Sequence, residues 1–139
     1  MAIVMRYGEA GERSQSEEKA EVKTLLWSTD TTQTGAFNAT LSSAASNFKR
    51  IRIEYTCMSE TFDPNTAIEI YMDSYPLFVN ASNNPLIALG ARGATYDYVR
   101  IGYFQSDYTV IRFANARRLA NTGGTSTTYC MPRRIYGIN

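Results

Sequence analysis

The sequence predicts an all-β protein: an antiparallel β-sandwich of jelly-roll-like form behind an extended N-terminal arm. Three observations carry this. Past residue 23, apolar and polar residues alternate with a period of two over several runs. Clusters of Gly, Pro, Asn, Asp and Ser part those runs at spacings of roughly 8–12 residues, the rhythm of a sandwich, with a barrel as second choice. No stretch after residue 23 carries the apolar stripe of a packed helix. With 139 residues the expectation is one domain. At that size about two-thirds of the unfolded chain's surface can be buried, so no disulfide or metal staple is required.

The arm spans residues 1–22 and the sandwich residues 23–139. Nine charged side chains, from Arg6 to Lys23, crowd the first 23 positions, and Ser14 to Val22 has a Ser cap but no apolar stripe. The arm therefore reads as flexible, or as ordered only against a neighbouring subunit. Its apolar tip, Ile3, Val4 and Met5 with Tyr7, is the candidate assembly contact.

The strands follow in order. Thr24 to Ser28 and Ala36 to Leu41 are short candidates. Phe48 to Cys57 sets Ile51, Ile53, Tyr55 and Cys57 on one face and Arg50, Arg52, Glu54 and Thr56 on the other, which makes Cys57 an inward thiol. Thr66 to Met72 turns Ile68, Ile70 and Met72 inward. Leu77 to Asn80 and Leu86 to Leu89 are short, and Gly90 to Gly93 reads as a turn. Tyr96 to Gln105 sets Val99, Ile101 and Tyr103 opposite Tyr98, Arg100 and Gly102. Tyr108 to Ala114 points Ile111 and Phe113 inward, and Thr127 to Ile138 closes the chain.

Composition excludes several chemistries. Histidine is absent, which removes Ser-His-Asp and Cys-His catalysis and His-ligated zinc. Fourteen Lys and Arg against 13 Asp and Glu leave a net charge of +1, no electrostatic footprint for nucleic acid or an anionic membrane. No apolar run nears the ~18–20 residues of a membrane span. No apolar signal core follows Met5, so synthesis without export is expected. Two cysteines are too few for a disulfide scaffold. Asp63-Pro-Asn65 reads as a turn, not a calcium loop. Paired carboxylates for glycan hydrolysis could come from Glu54, Glu69, Asp73, Asp97 and Asp107, although carboxylates on strands are more often plain soluble edges. The expectation is a non-enzyme with no metal or cofactor.

The order of features after residue 22 resembles the small β-sandwich modules of bacteriophage tail and tail-fibre structural proteins. The likeness lies in Thr24-Leu-Leu-Trp27, the Thr- and Gly-rich stretch that runs into an Ala/Thr/Leu strand ending at Leu41, Asn47-Phe-Lys-Arg-Ile-Arg-Ile-Glu-Tyr55, and the closing Arg133-Arg-Ile-Tyr-Gly-Ile-Asn139. The resemblance implies a virion structural protein of the tail, tail fibre or head fibre, in contact with other virion proteins and with the host surface. It also implies a homo-oligomer, with a trimer as the family-like state. The alternative is a stand-alone carbohydrate-binding module. Among ten tyrosines and one tryptophan, the candidate recognition surface is Trp27 together with Tyr96, Tyr98 and Arg100, with a host-surface glycan as its ligand; core packing and cross-strand pairing are the plainer roles for each.

Overall fold

The computed structural model describes residues 21–33, 35–66, 68–73, 86–105, 108–120, 125–126 and 128–139. The arm residues Ile3, Val4, Met5 and Tyr7, and the strand expected at 77–80, lie outside the described residues. The described chain is an all-β, sandwich-like fold in which every strand pair is antiparallel.

The first sheet contains β1 (Lys23–Ser28), β3 (Arg50–Thr56), β4 (Ile68–Asp73) and β10 (Met131–Ile138), in the order β1-β10-β3-β4. First and last strands thus lie side by side, and Val22 and Asn139 exchange both backbone hydrogen bonds at 3.2 and 3.1 Å. The second sheet is built around β6 (Asp97–Phe104). β5 (Ile87–Arg92) runs along one edge of β6. β7 (Val110–Phe113) and β8 (Ala116–Arg118) share its other edge end to end. β2 (Phe37–Thr40) extends the sheet from β7, and β9 (Thr125–Ser126) extends it from β8. A single 3-10 turn, Ala45–Asn47, links β2 to β3.

The alternation read from the sequence places the core. Ile51, Ile53 and Tyr55 of β3 and Ile135 of β10 face Ala39, Leu89, Phe104, Ile111 and Phe113 of the second sheet in one buried cluster. Each large side chain so buried contributes about 1.5–3 kcal/mol. Trp27 stacks on Phe37 at 5.9 Å, and Phe37 on Phe113 at 5.3 Å, an aromatic run that crosses from β1 to the second sheet. Gly137 must be glycine on packing grounds: a Cβ there would come within 2.4 Å of the Phe48 ring.

Three readings of the sequence are corrected. Gly90 lies within β5, and the turn sits later, where the Gly93 N–H donates to Tyr96 O at 2.8 Å. β3 ends at Thr56, so Cys57 is half-buried and not a core thiol; the fully buried cysteine is Cys130, and neither forms a disulfide. The third correction concerns β6. Arg100 and Phe104 point inward while Tyr103 is exposed, so the Arg100 face is the core side of the strand.

Arg100 is fully buried, and among the described residues its hydrogen bonds go to backbone carbonyls. Its Nε donates to Cys130 O at 2.8 Å and its Nη2 to Tyr129 O at 3.1 Å. Its Nη1 donates to Ala114 O at 2.7 Å and Gly35 O at 3.3 Å. Two of these carbonyls are presented by residues with left-handed backbone, Gly35 (φ 79°) and Cys130 (φ 56°). Glycine adopts that conformation freely, whereas for Cys130 it costs of order 1–3 kcal/mol, to be offset by the contacts it makes. Ala114 lies at the break between β7 and β8, where its carbonyl serves Arg100. Burial lowers the pKa of Arg100, but a guanidinium stays charged in proteins.

Tyr55 joins the two sheets at the edge of β5 away from β6. Its hydroxyl donates to Gly90 O at 2.9 Å and accepts from Gly90 N at 3.1 Å, so one side chain satisfies both edge groups. Tyr55→Phe is expected to turn the exposed Gly90 backbone groups back to water and to lower stability by about 0.5–1.5 kcal/mol with an unchanged denaturant slope. Urea unfolding measures both, and wild-type stability in the variant would assign the bridge no net value.

The cysteines yield a second test. Burial pushes the Cys130 thiol up from 9.0 to about 11. Iodoacetamide at pH 8 is expected to label Cys57 alone in the native chain and both cysteines in urea, as read by mass spectrometry. Since the folded state holds the Cys130 proton more tightly than the unfolded state, its contribution to stability is intact below pH 9 and is lost as pH rises towards 11. Rapid native labelling of Cys130 would contradict this.

Candidate functional site

The site grows out of the dyad Arg133-Arg134 on β10. The pairing of β10 with β3 slips between Pro132, opposite Tyr55, and Arg134, opposite Glu54, so Arg133 is the extra residue of a β-bulge. Proline suits such a place because it donates nothing to the ladder. The bulge sends two consecutive arginines to different destinations.

Arg133 is buried. Its Nε donates to Thr56 Oγ1 at 3.2 Å, its Nη1 to Thr31 O at 3.2 Å and its Nη2 to Glu60 O at 2.9 Å. One guanidinium thereby clamps the β1–β2 connection and the β3–β4 connection to the end of β3. Burial lowers its pKa, with Glu60 and Asp30 acting the other way. Arg134 lies on the outer face. Its Nη1 donates to Thr29 O at 3.1 Å and to Arg133 O at 2.9 Å, its Nη2 pairs with Asp30 Oδ1 at 2.9 Å, and its guanidinium covers the Phe62 ring at 4.3 Å.

The β3–β4 connection, over its described residues 57–66, is stiffened by its own polar groups. The Thr56 hydroxyl donates to Met58 O at 2.7 Å, and the Met58 N–H to Glu60 Oε1 at 2.7 Å. The Asn65 N–H donates to Asp63 Oδ1 at 2.9 Å, the turn that Asp63-Pro-Asn65 predicts.

Between this connection and β10 lies an open groove of about 490 Å³. Phe62, Pro64 and Tyr136 give it apolar walls; Asp30, Glu60 and Arg134 give it charge; Ser59 and Thr61 add hydroxyls. Beside it, the outer face of the first sheet carries a lattice of rings and ions. Lys23 sits over the Tyr136 ring at 4.7 Å, Arg52 lies between Tyr136 and Tyr71 at 5.8 and 5.6 Å, and Arg52 pairs with both Glu54 and Glu69. Burial works to lower the Arg52 pKa, yet Glu54, Tyr71 and Glu69 outweigh it and raise the value. Glu54 and Glu69, candidates for a hydrolytic pair, are thus both engaged by one arginine.

The recognition surface expected from the sequence does not assemble. Tyr96 is exposed, with the Arg118 guanidinium 3.9 Å above its ring. Tyr98 is half-buried, stacked on Tyr129 at 3.8 Å. Arg100, expected at the surface, is the buried centre of the carbonyl cage, a correction with a plain cause: four inward carbonyls need a donor. Trp27 is half-buried on the other sheet against Phe37, so its ring packs in place of forming an open platform.

The groove residues Asp30, Glu60, Phe62 and Tyr136 were not singled out by sequence. The only local signal was Pro132 ahead of two arginines, and nothing in the chain links Asp30 to a partner 104 positions away. Compared with protein-family models, with curated proteins and with solved structures, the chain has no match in any of the three.

Proposed function

We propose that the chain is a non-enzymatic structural component of a bacteriophage particle, in the tail, tail fibre or head fibre, that assembles through its N-terminal arm and meets the host surface with its sandwich. One observation carries most of the support. Of the segments that resemble phage tail modules, 24–27, 47–55 and 133–139 are far apart in the chain yet fall on β1, β3 and β10, three adjacent strands of one sheet, while the stretch ending at Leu41 runs into β2 of the other sheet. Likeness carried by strands that pair in space though distant in sequence is what a shared module would leave behind.

Exposed apolar side chains favour an oligomer. Leu25 on the first sheet, and Leu86, Tyr103 and Leu119 on or beside the second, present surface of the kind that subunits bury against one another. A stand-alone carbohydrate-binding module, the second reading, would run as a monomer by light scattering; the particle component is expected to run as a small homo-oligomer, a trimer being the first choice.

The arm is tested by deletion. Val22 pairs with Asn139 and Glu21 with Arg50, so the cut keeps both and removes residues 2–20. Burying Ile3, Val4, Met5 and Tyr7 against a neighbour would contribute several kcal/mol at roughly 25 cal/mol per Å², less the ordering cost. The truncated chain is expected to keep its melting temperature and to lose incorporation when it complements particles lacking the full-length protein. Normal incorporation would overturn the arm's role.

A further inference from the structure

We propose that the groove between β10 and the connection of residues 57–66 binds a neutral saccharide unit, held through Asp30 and Arg134 against the walls formed by Phe62 and Tyr136. This goes beyond the particle reading and is tested on the purified chain, so either can fail without the other.

Charge selects the ligand class. An anion entering the groove would meet the Asp30 and Glu60 carboxylates, and a cation would meet Arg134. A neutral polyol is repelled by neither, and its hydroxyls both donate and accept. The Asp30 Oδ1 to Arg134 Nη2 pair, 2.9 Å apart, sets an acceptor beside a donor, the arrangement that two vicinal hydroxyls complement. The pair is also reachable. The Asp30 side chain is 79% exposed, and the Arg134 side chain is 20% exposed, oriented by two backbone carbonyls and the Phe62 ring.

The remaining walls suit the other side of a sugar. Phe62, Pro64 and Tyr136 supply apolar surface for a ring's C–H face, and Ser59 and Thr61 supply further hydroxyls at the rim. A volume of about 490 Å³ falls within the roughly 300–1,000 Å³ of small-molecule sites. The Arg133 clamp and the hydrogen bonds of the connection hold the walls before any ligand arrives, which limits the entropy lost on binding.

The test titrates the full-length chain, followed by amide chemical shifts, with maltotriose, N,N′,N″-triacetylchitotriose, a galactose disaccharide and a rhamnose disaccharide, and separately with inorganic phosphate and lysine methyl ester. The expected result is saturable binding of at least one of the four saccharides, with Kd of about 1 mM or tighter, weakened roughly tenfold or more by Asp30→Asn and by Phe62→Ala. Arg92→Ala, at an exposed side chain on β5 of the other sheet, is expected to change nothing. Asp30 is exposed enough that its variant keeps the fold, so Asp30→Asn decides the matter if Phe62→Ala proves unstable. No saturable binding of any of the four, binding indifferent to Asp30→Asn, or tighter binding of phosphate or the lysine ester would each overturn the proposal.

Discussion

The fold depends on a buried cation that, among the described residues, no carboxylate answers. Arg100 sits at the centre of the second sheet and gives its hydrogen bonds to the carbonyls of Gly35, Ala114, Tyr129 and Cys130. Those carbonyls come from three chain segments at places where regular pairing stops: the entry to β2, the break between β7 and β8, and the approach to β10. A planar guanidinium with five donors can serve all four acceptors at once, which an ammonium of three donors cannot. Stripping a buried charge of its partners, or the partners of their charge, costs about 3–5 kcal/mol, comparable to a large share of a domain's net stability. Gly35 and Cys130 hold left-handed backbone in this setting, and the cage is what their conformation achieves.

Because β10 is flanked by β1 and β3, where it begins decides what the first sheet presents. The Arg100 cage anchors Tyr129 and Cys130, and the strand starts at Met131. Three residues further on the bulge divides Arg133 from Arg134, and the same chemistry is used again. Arg133 binds the carbonyls of Thr31 and Glu60, locking two connections against the sheet. Arg134 then emerges on the outer face, between Asp30 and Phe62, as part of the groove. Buried arginines on carbonyls thus build the frame, and one half-exposed arginine faces the solvent on it.

Alternation made much of this legible. The runs centred on β3, β4, β6 and β7 appear within about two residues of their observed limits, and Ile51, Ile53, Ile111 and Phe113 lie in the core as their spacing requires. Period-two logic failed where a polar residue serves the interior. It assigned Arg100 to the surface because arginine is rarely buried, and no local feature records acceptors up to 65 positions away. Gly90 reads as a turn residue until the Tyr55 hydroxyl is seen approaching its backbone. The groove was invisible for the same reason: its charged pair, Asp30 and Arg134, meets only because the first and last strands are neighbours. Local patterns carry strand identity, whereas long-range polar contacts carry the cage and the site.

The central claim is that one guanidinium holds three segments together, and native-state hydrogen exchange of Arg100→Lys tests it most directly. The Ala114 N–H, bonded to Ile101 O at 2.9 Å, and the Cys130 N–H, bonded to Cys57 O at 2.8 Å, report two of those segments. The Asn139 N–H, bonded to Val22 O at 3.1 Å, lies away from the cage and serves as reference. Exchange at Ala114 and Cys130 is expected to quicken together, roughly tenfold or more beyond any change at Asn139. Unchanged protection at both, or a loss at one without the other, would contradict the account.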